Sequence, residues 1–75
     1  MNAKIQDIIQ KMQKGERLYK YTGRLPALII FETSEEKVPA RVFNKMFEKA
    51  LITVDNTKAC ETWYTLTDIS KAFKF

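Results

Sequence analysis

The sequence predicts one small α+β domain, residues 1–75, in the order α-β-β-α-β-β-α. Three observations lead there. Two stretches, 3–14 and 39–50, repeat apolar residues at the i, i+3, i+4, i+7 spacing of amphipathic helices. Four short runs, 17–21, 27–31, 51–54 and 63–66, alternate in character or are continuously apolar and rich in β-branched and aromatic residues, as strands are. The chain is 45% hydrophobic and 29% charged, an ordinary globular balance that argues against disorder.

The first helix is predicted from Ala3 to about Lys14, with Asn2 as its N-cap and Ile5, Ile8, Ile9 and Met12 as its core stripe. Lys11 and Lys14 suit its C-terminal end, and Gly15 suits the left-handed residue that stops it. Arg17 to Tyr21 alternates, with Leu18 and Lys20 on one face and Arg17, Tyr19 and Tyr21 on the other. Thr22 to Pro26 is a turn, and Ala27 to Phe31 is the second arm of a hairpin, buried on much of both faces. Glu32 to Lys37 is a polar turn. Val38, extended because a proline follows it, either closes the hairpin edge or anchors the next helix.

Residues 39–50 form the central helix. Pro39 fits its first turn, where a missing N–H has no intrahelical partner anyway. Phe43, Met46, Phe47 and Ala50 fall on the buried side, and Arg41, Asn44, Lys45, Glu48 and Lys49 on the other. Leu51 to Val54 reads as extended, Asp55-Asn56-Thr57 as a turn, and Trp63 to Leu66 as a last strand with Tyr64 and Leu66 on one face and Trp63 and Thr65 on the other. Lys58 to Thr62 either extends that strand or belongs to a long loop. Thr67 caps a final helical turn, Asp68 to about Ala72, pinned to the core by Ile69, Ala72 and Phe73.

Several function classes lose ground. The chain has no histidine, the usual general base, and its single cysteine, Cys60, cannot form an internal disulfide. A structural zinc site lacks ligands, and there is no glycine-rich phosphate loop, because Gly15 and Gly23 are the only glycines. Ser34 and Ser70 have no evident base partner, and Cys60 reads as a partly buried thiol. The expectation is a protein that is not an enzyme and takes no cofactor or metal. No apolar run reaches the length of a membrane span, and polar residues interrupt the N-terminal stretch where a signal peptide would be apolar. A cytoplasmic location and no membrane partner are expected.

The net charge of +4 is uneven, being +4 over residues 1–25, −2 over 26–40 and +2 over 41–75. Two basic sets stand out. Arg41, Asn44, Lys45 and Lys49 share the polar face of the central helix, with Glu48 among them as an opposing charge. Arg17, Lys20 and Arg24 are interleaved with Tyr19 and Tyr21, a pattern suited either to stacking single-stranded nucleic acid or to an amphipathic strand. The acidic residues Glu32, Glu35 and Glu36 cluster in one turn, as a soluble loop, an edge guard or a contact for a basic partner.

Residues 39–72 resemble the C-terminal part of winged-helix domains. The likeness rests on the helix Arg41 to Lys49, its exit Ala50-Leu51-Ile52, and Tyr64-Thr65-Leu66-Thr67-Asp68-Ile69. In that family a recognition helix ends in a small residue and two aliphatics, a β-hairpin wing follows, and a Tyr-x-Leu-Thr strand leads into a last helix. Residues 17–38 depart from the pattern, reading as a hairpin where the family has a helix.

The resemblance implies a transcription regulator that binds double-stranded DNA. Arg41 and Asn44 would reach base edges, Lys45 and Lys49 phosphates, and Lys58 in the wing a neighbouring phosphate. Such a small reader suits a homodimer on two half-sites. The alternative is a protein-binding module or inhibitor of a larger assembly, using Tyr21, Glu35, Glu36 and Trp63.

Overall fold

A computed structural model describes residues 2–75, and the seven elements occur in the expected order. They are α1 (Ala3–Gln13), β1 (Leu18–Tyr21), β2 (Leu28–Phe31), α2 (Ala40–Glu48), β3 (Ile52–Lys58), β4 (Glu61–Leu66) and α3 (Asp68–Lys71). The four strands form one antiparallel sheet in the order β2-β1-β4-β3. Register puts Leu18 between Phe31 and Tyr64, and Tyr19 between Ile30 and Trp63, so each set of cross-strand neighbours shares a face.

The helices pack on the face that holds Leu18, Ile29, Phe31, Tyr64, Leu66 and Ile52, all buried. Ile5, Ile8, Ile9 and Met12 of α1 close over them, as their spacing predicts. Asn2 caps α1 by accepting the Lys4 N–H at 2.7 Å, and Gly15 takes φ +111° just beyond it. Val38 closes the outer edge of β2: its N–H donates to the Ile29 carbonyl at 2.9 Å beside a bridge between Ile30 and Lys37.

Several expectations are corrected. Asp55-Asn56-Thr57 is not a turn. β3 continues through it to Lys58, and the extra residue is absorbed as an irregularity between Val54 and Asn56. The turn is Ala59-Cys60, which leaves the Cys60 thiol exposed. Phe47 is 51% exposed, and Ala50, expected on the same buried side, is exposed too because it lies beyond the C-cap in the left-handed turn. The ring of Phe47 and that of Phe43 both rest on Tyr64, at 6.0 and 4.8 Å, but Lys20 covers Phe43 alone. Ile69 is 69% exposed and Ala72 is exposed too, so of the three residues meant to pin α3 only Phe73 packs against the core.

α3 is anchored by polar groups instead. Ser70, fully buried, donates to the Leu51 carbonyl, and Gln13 of α1 donates to the carbonyls of Ser70 and Phe73 at 3.1 and 2.8 Å. Thr67 occupies the N-cap position, but its hydroxyl donates back to the Ala50 carbonyl at 2.9 Å and does not cap its own helix.

Candidate functional site

The spacing of α2 divides it into an inner and an outer side. Phe43 and Met46 are 2% and 0% exposed, and Val42 packs beside them. Arg41, Asn44, Lys45, Glu48 and Lys49 all face solvent. Pro39 serves as N-cap, with extended backbone, so helical geometry begins at Ala40. The helix ends in a Schellman arrangement. The Leu51 N–H donates to the Met46 carbonyl at 3.0 Å and the Ala50 N–H to that of Phe47 at 3.1 Å, with Ala50 in the left-handed region at φ +57°. Lys49 is the C-cap, and this ending holds it in line with Lys45.

Ion pairing separates the cations into two groups. Lys11 binds Glu36 at 2.6 Å and Arg17 binds Glu32 and Asp55 at 2.7 Å each. Hydrogen bonds to these carboxylates raise the pKa of both groups, Lys11 through Glu36 first and Arg17 through Glu32 first. Arg41, Lys45 and Lys49, by contrast, have no carboxylate within ion-pairing distance among the described residues. Lys45 and Lys49 also line a cleft of about 410 Å³ with Asn2, Ile5 and Leu51, between the start of α1 and the end of α2.

The sheet separates the second basic set. Lys20 lies on the helix side, its ammonium 5.2 Å from the centre of the Phe43 ring, while Tyr19 and Tyr21 lie on the opposite face. Arg17 is on that opposite face too, engaged by its two carboxylates. Arg24 lies in the loop between β1 and β2. The three cations therefore do not form one stacking platform. Lys20 is the residue the motif reading placed in the wrong company, although strict alternation along β1 already puts it across the sheet from both tyrosines.

Lys58 pairs with Glu61 at the far end of the hairpin, on the sheet face away from α2, and so does not extend the α2 surface. Trp63 and Glu35 line a common groove of about 280 Å³ with Tyr19, Ile30 and Glu32. Glu36 instead turns to Lys11, and the ring of Tyr21 lies over Gly23, so closely that a Cβ there would clash with its hydroxyl. The four residues proposed for a protein surface are thus divided, with Trp63 and Glu35 together and the other two elsewhere. Among the described residues no group of His, Cys, Asp and Glu side chains could hold a metal, and no helix is long and apolar enough to cross a membrane.

Comparison with known proteins finds no matching family model, no matching curated protein and no matching solved structure.

Proposed function

We propose that this chain is a non-catalytic, cytoplasmic regulator that binds double-stranded DNA through the outer side of α2. The observation that carries the reading is the state of its cations: Arg41, Lys45 and Lys49 share one helix side and are exposed and unpaired among the described residues, whereas Lys11, Arg17 and Lys71 are each held by a carboxylate. Unpaired cations are free to displace counterions from phosphates, the term that dominates affinity for nucleic acid. Lys20 above Phe43 adds a fourth positive charge on the helix side of the sheet. Glu48 subtracts one, which suits a helix that reads a defined site better than one that only coats phosphate.

In this reading Lys45 and Lys49 sit on phosphates, and Arg41 and Asn44 reach base edges, where their planar groups can make paired hydrogen bonds to guanine and adenine. The helix–hairpin–helix order of residues 40–71, which the winged-helix resemblance leads one to expect, supports it. With one nine-residue helix per chain, two copies on adjacent half-sites would supply a fuller set of contacts. The lone cysteine fits a reducing cytoplasm.

The direct test is anisotropy of a labelled random-sequence duplex titrated with the wild type and with a triple variant, Arg41→Ala, Lys45→Ala, Lys49→Ala. All three side chains are exposed, so the variant should keep its fold and lose binding by two orders of magnitude or more at low salt. Equal binding by a folded triple variant would remove α2 from the interface.

A further inference from the structure

The helices pack on one face of the sheet, and no helix covers the Tyr19 and Trp63 side chains on the other. That second face carries the groove lined by Tyr19, Ile30, Glu32, Glu35 and Trp63. We infer that this groove docks a short basic segment of a partner protein, one apolar side chain of which enters between Tyr19, Ile30 and Trp63 while a neighbouring lysine or arginine meets Glu35.

The floor of the groove is built and held. The Tyr19 and Trp63 rings lie 5.4 Å apart at an interplanar angle of 59°, a tilted aromatic pair. Tyr19 is fixed at its far end by donating its hydroxyl to Glu61 at 2.7 Å. Trp63 is covered on one side by the Arg17 guanidinium, 6.0 Å from the ring centre, and that group is itself clamped by Glu32 and Asp55. Side chains held in this way lose little freedom when a ligand arrives, which favours binding on a small surface.

Charge selects the occupant. Arg17 is matched twice over, by Glu32 and Asp55, while Glu35 has no cation within ion-pairing distance among the described residues. Arg17, Glu32, Glu35 and Asp55 together carry a net charge of −2 in a chain whose total is +4. The backbone of Glu35 is fixed in the left-handed region at φ +60°, with its N–H donating to the Phe31 carbonyl at 2.8 Å. Lys37, opposite Ile30 at the sheet edge, and Lys58, beside Glu61 at the hairpin end, flank the groove without lining it. A nucleic-acid strand would bring phosphates onto Glu35. A second copy stacked by the same face would bring the carboxylates together. A basic segment suffers neither repulsion. The surface lies across the sheet from the outer side of α2, so this partner and a ligand on α2 can be held at once.

The sole tryptophan, Trp63, reports directly on the groove. A phage library of random dodecapeptides is panned on the full chain, and the enriched peptides are synthesised and titrated while Trp63 fluorescence is followed. The expected result is enrichment of sequences with lysine or arginine beside an aliphatic or aromatic residue, with a change in Trp63 emission on binding. Glu35→Lys should weaken binding at least tenfold with an unchanged thermal melt, and the pair Lys45→Ala, Lys49→Ala should leave it unaltered. Failure to enrich any peptide, enrichment of peptides without a cation, or equal binding by Glu35→Lys would each overturn the inference. None of these outcomes bears on duplex binding by α2.

Discussion

Ser70 Oγ donates a hydrogen bond to the Leu51 carbonyl at 2.7 Å, joining residues 19 apart in the chain. The contact ties α3 to the exit of α2, so the helix proposed to meet DNA is braced where its last lysine projects. Ser70 is fully buried and Leu51 is 6% exposed. Ser70→Ala should therefore cost about 1–2 kcal/mol, with the Thr67 N–H, at 3.2 Å from the same carbonyl, limiting the loss. Urea denaturation of wild type and variant measures it, and an unchanged midpoint would show that Thr67 alone satisfies that oxygen.

Phe43 and Phe47 lie one helical turn apart with parallel rings, yet they should respond differently to truncation. Phe43, 2% exposed, should lose about 3–5 kcal/mol on replacement by alanine. Phe47, 51% exposed, should lose roughly half as much or less, because half its surface is already in water. Chemical denaturation of Phe43→Ala and Phe47→Ala gives the comparison, and equal losses would mean that Phe47 is more enclosed in solution.

Ala50 holds a left-handed conformation at a position where helices usually end in glycine. Ala50→Gly should relieve that strain and stabilise the protein by about 1 kcal/mol. A rise of several degrees in melting temperature is the expected reading for a chain of this length. A fall would indicate that the alanine methyl makes contacts worth more than the strain.

The hydrogen bond to Glu61, followed by burial and the Glu61 charge, pushes Tyr19 up to about 12 from an ordinary value of 10.0. The folded state then holds a proton that the unfolded state releases first. This contribution to stability is complete below pH 10 and is lost as pH rises towards 12. Glu61→Gln removes the anionic partner and should return Tyr19 towards its ordinary range. Absorbance at the tyrosinate band, titrated for both proteins, should show one late-titrating tyrosine fewer in the variant. Burial also raises Tyr64, and that shift should persist.

Much of this architecture was legible from periodicity. The isoleucine stripe of α1, the alternation of Tyr64 and Leu66 and the capping residues Asn2 and Gly15 all reflect local rules that tertiary packing reinforces. The failures came where non-local structure decides. Asp55-Asn56-Thr57 has turn chemistry, but pairing with β4 and the hydrogen bond that Arg17 donates to Asp55 hold it extended. Phe47 fits the helical stripe, but which part of the stripe is covered depends on where Lys20 and Tyr64 lie in the sheet. The polar face of α2 was legible as a face. That its cations are unpaired while Lys11 and Arg17 are matched follows from loops meeting in space, which no spacing rule encodes.

The most direct test of the α2 reading is the salt dependence of duplex binding. Arg41 to Lys49 spans about 12 Å along the helix at 1.5 Å per residue, with Lys45 midway. If Lys45 and Lys49 each neutralise one phosphate, replacing both with alanine should flatten the slope of log affinity against log salt by roughly two units. Arg41→Ala should lower discrimination between sequences by about 1–3 kcal/mol. The predicted result is measurable duplex binding by the wild type near ~50 mM salt, with the shallower slope in the double variant. Absence of wild-type binding at that salt, or identical slopes for the two proteins, would contradict the account.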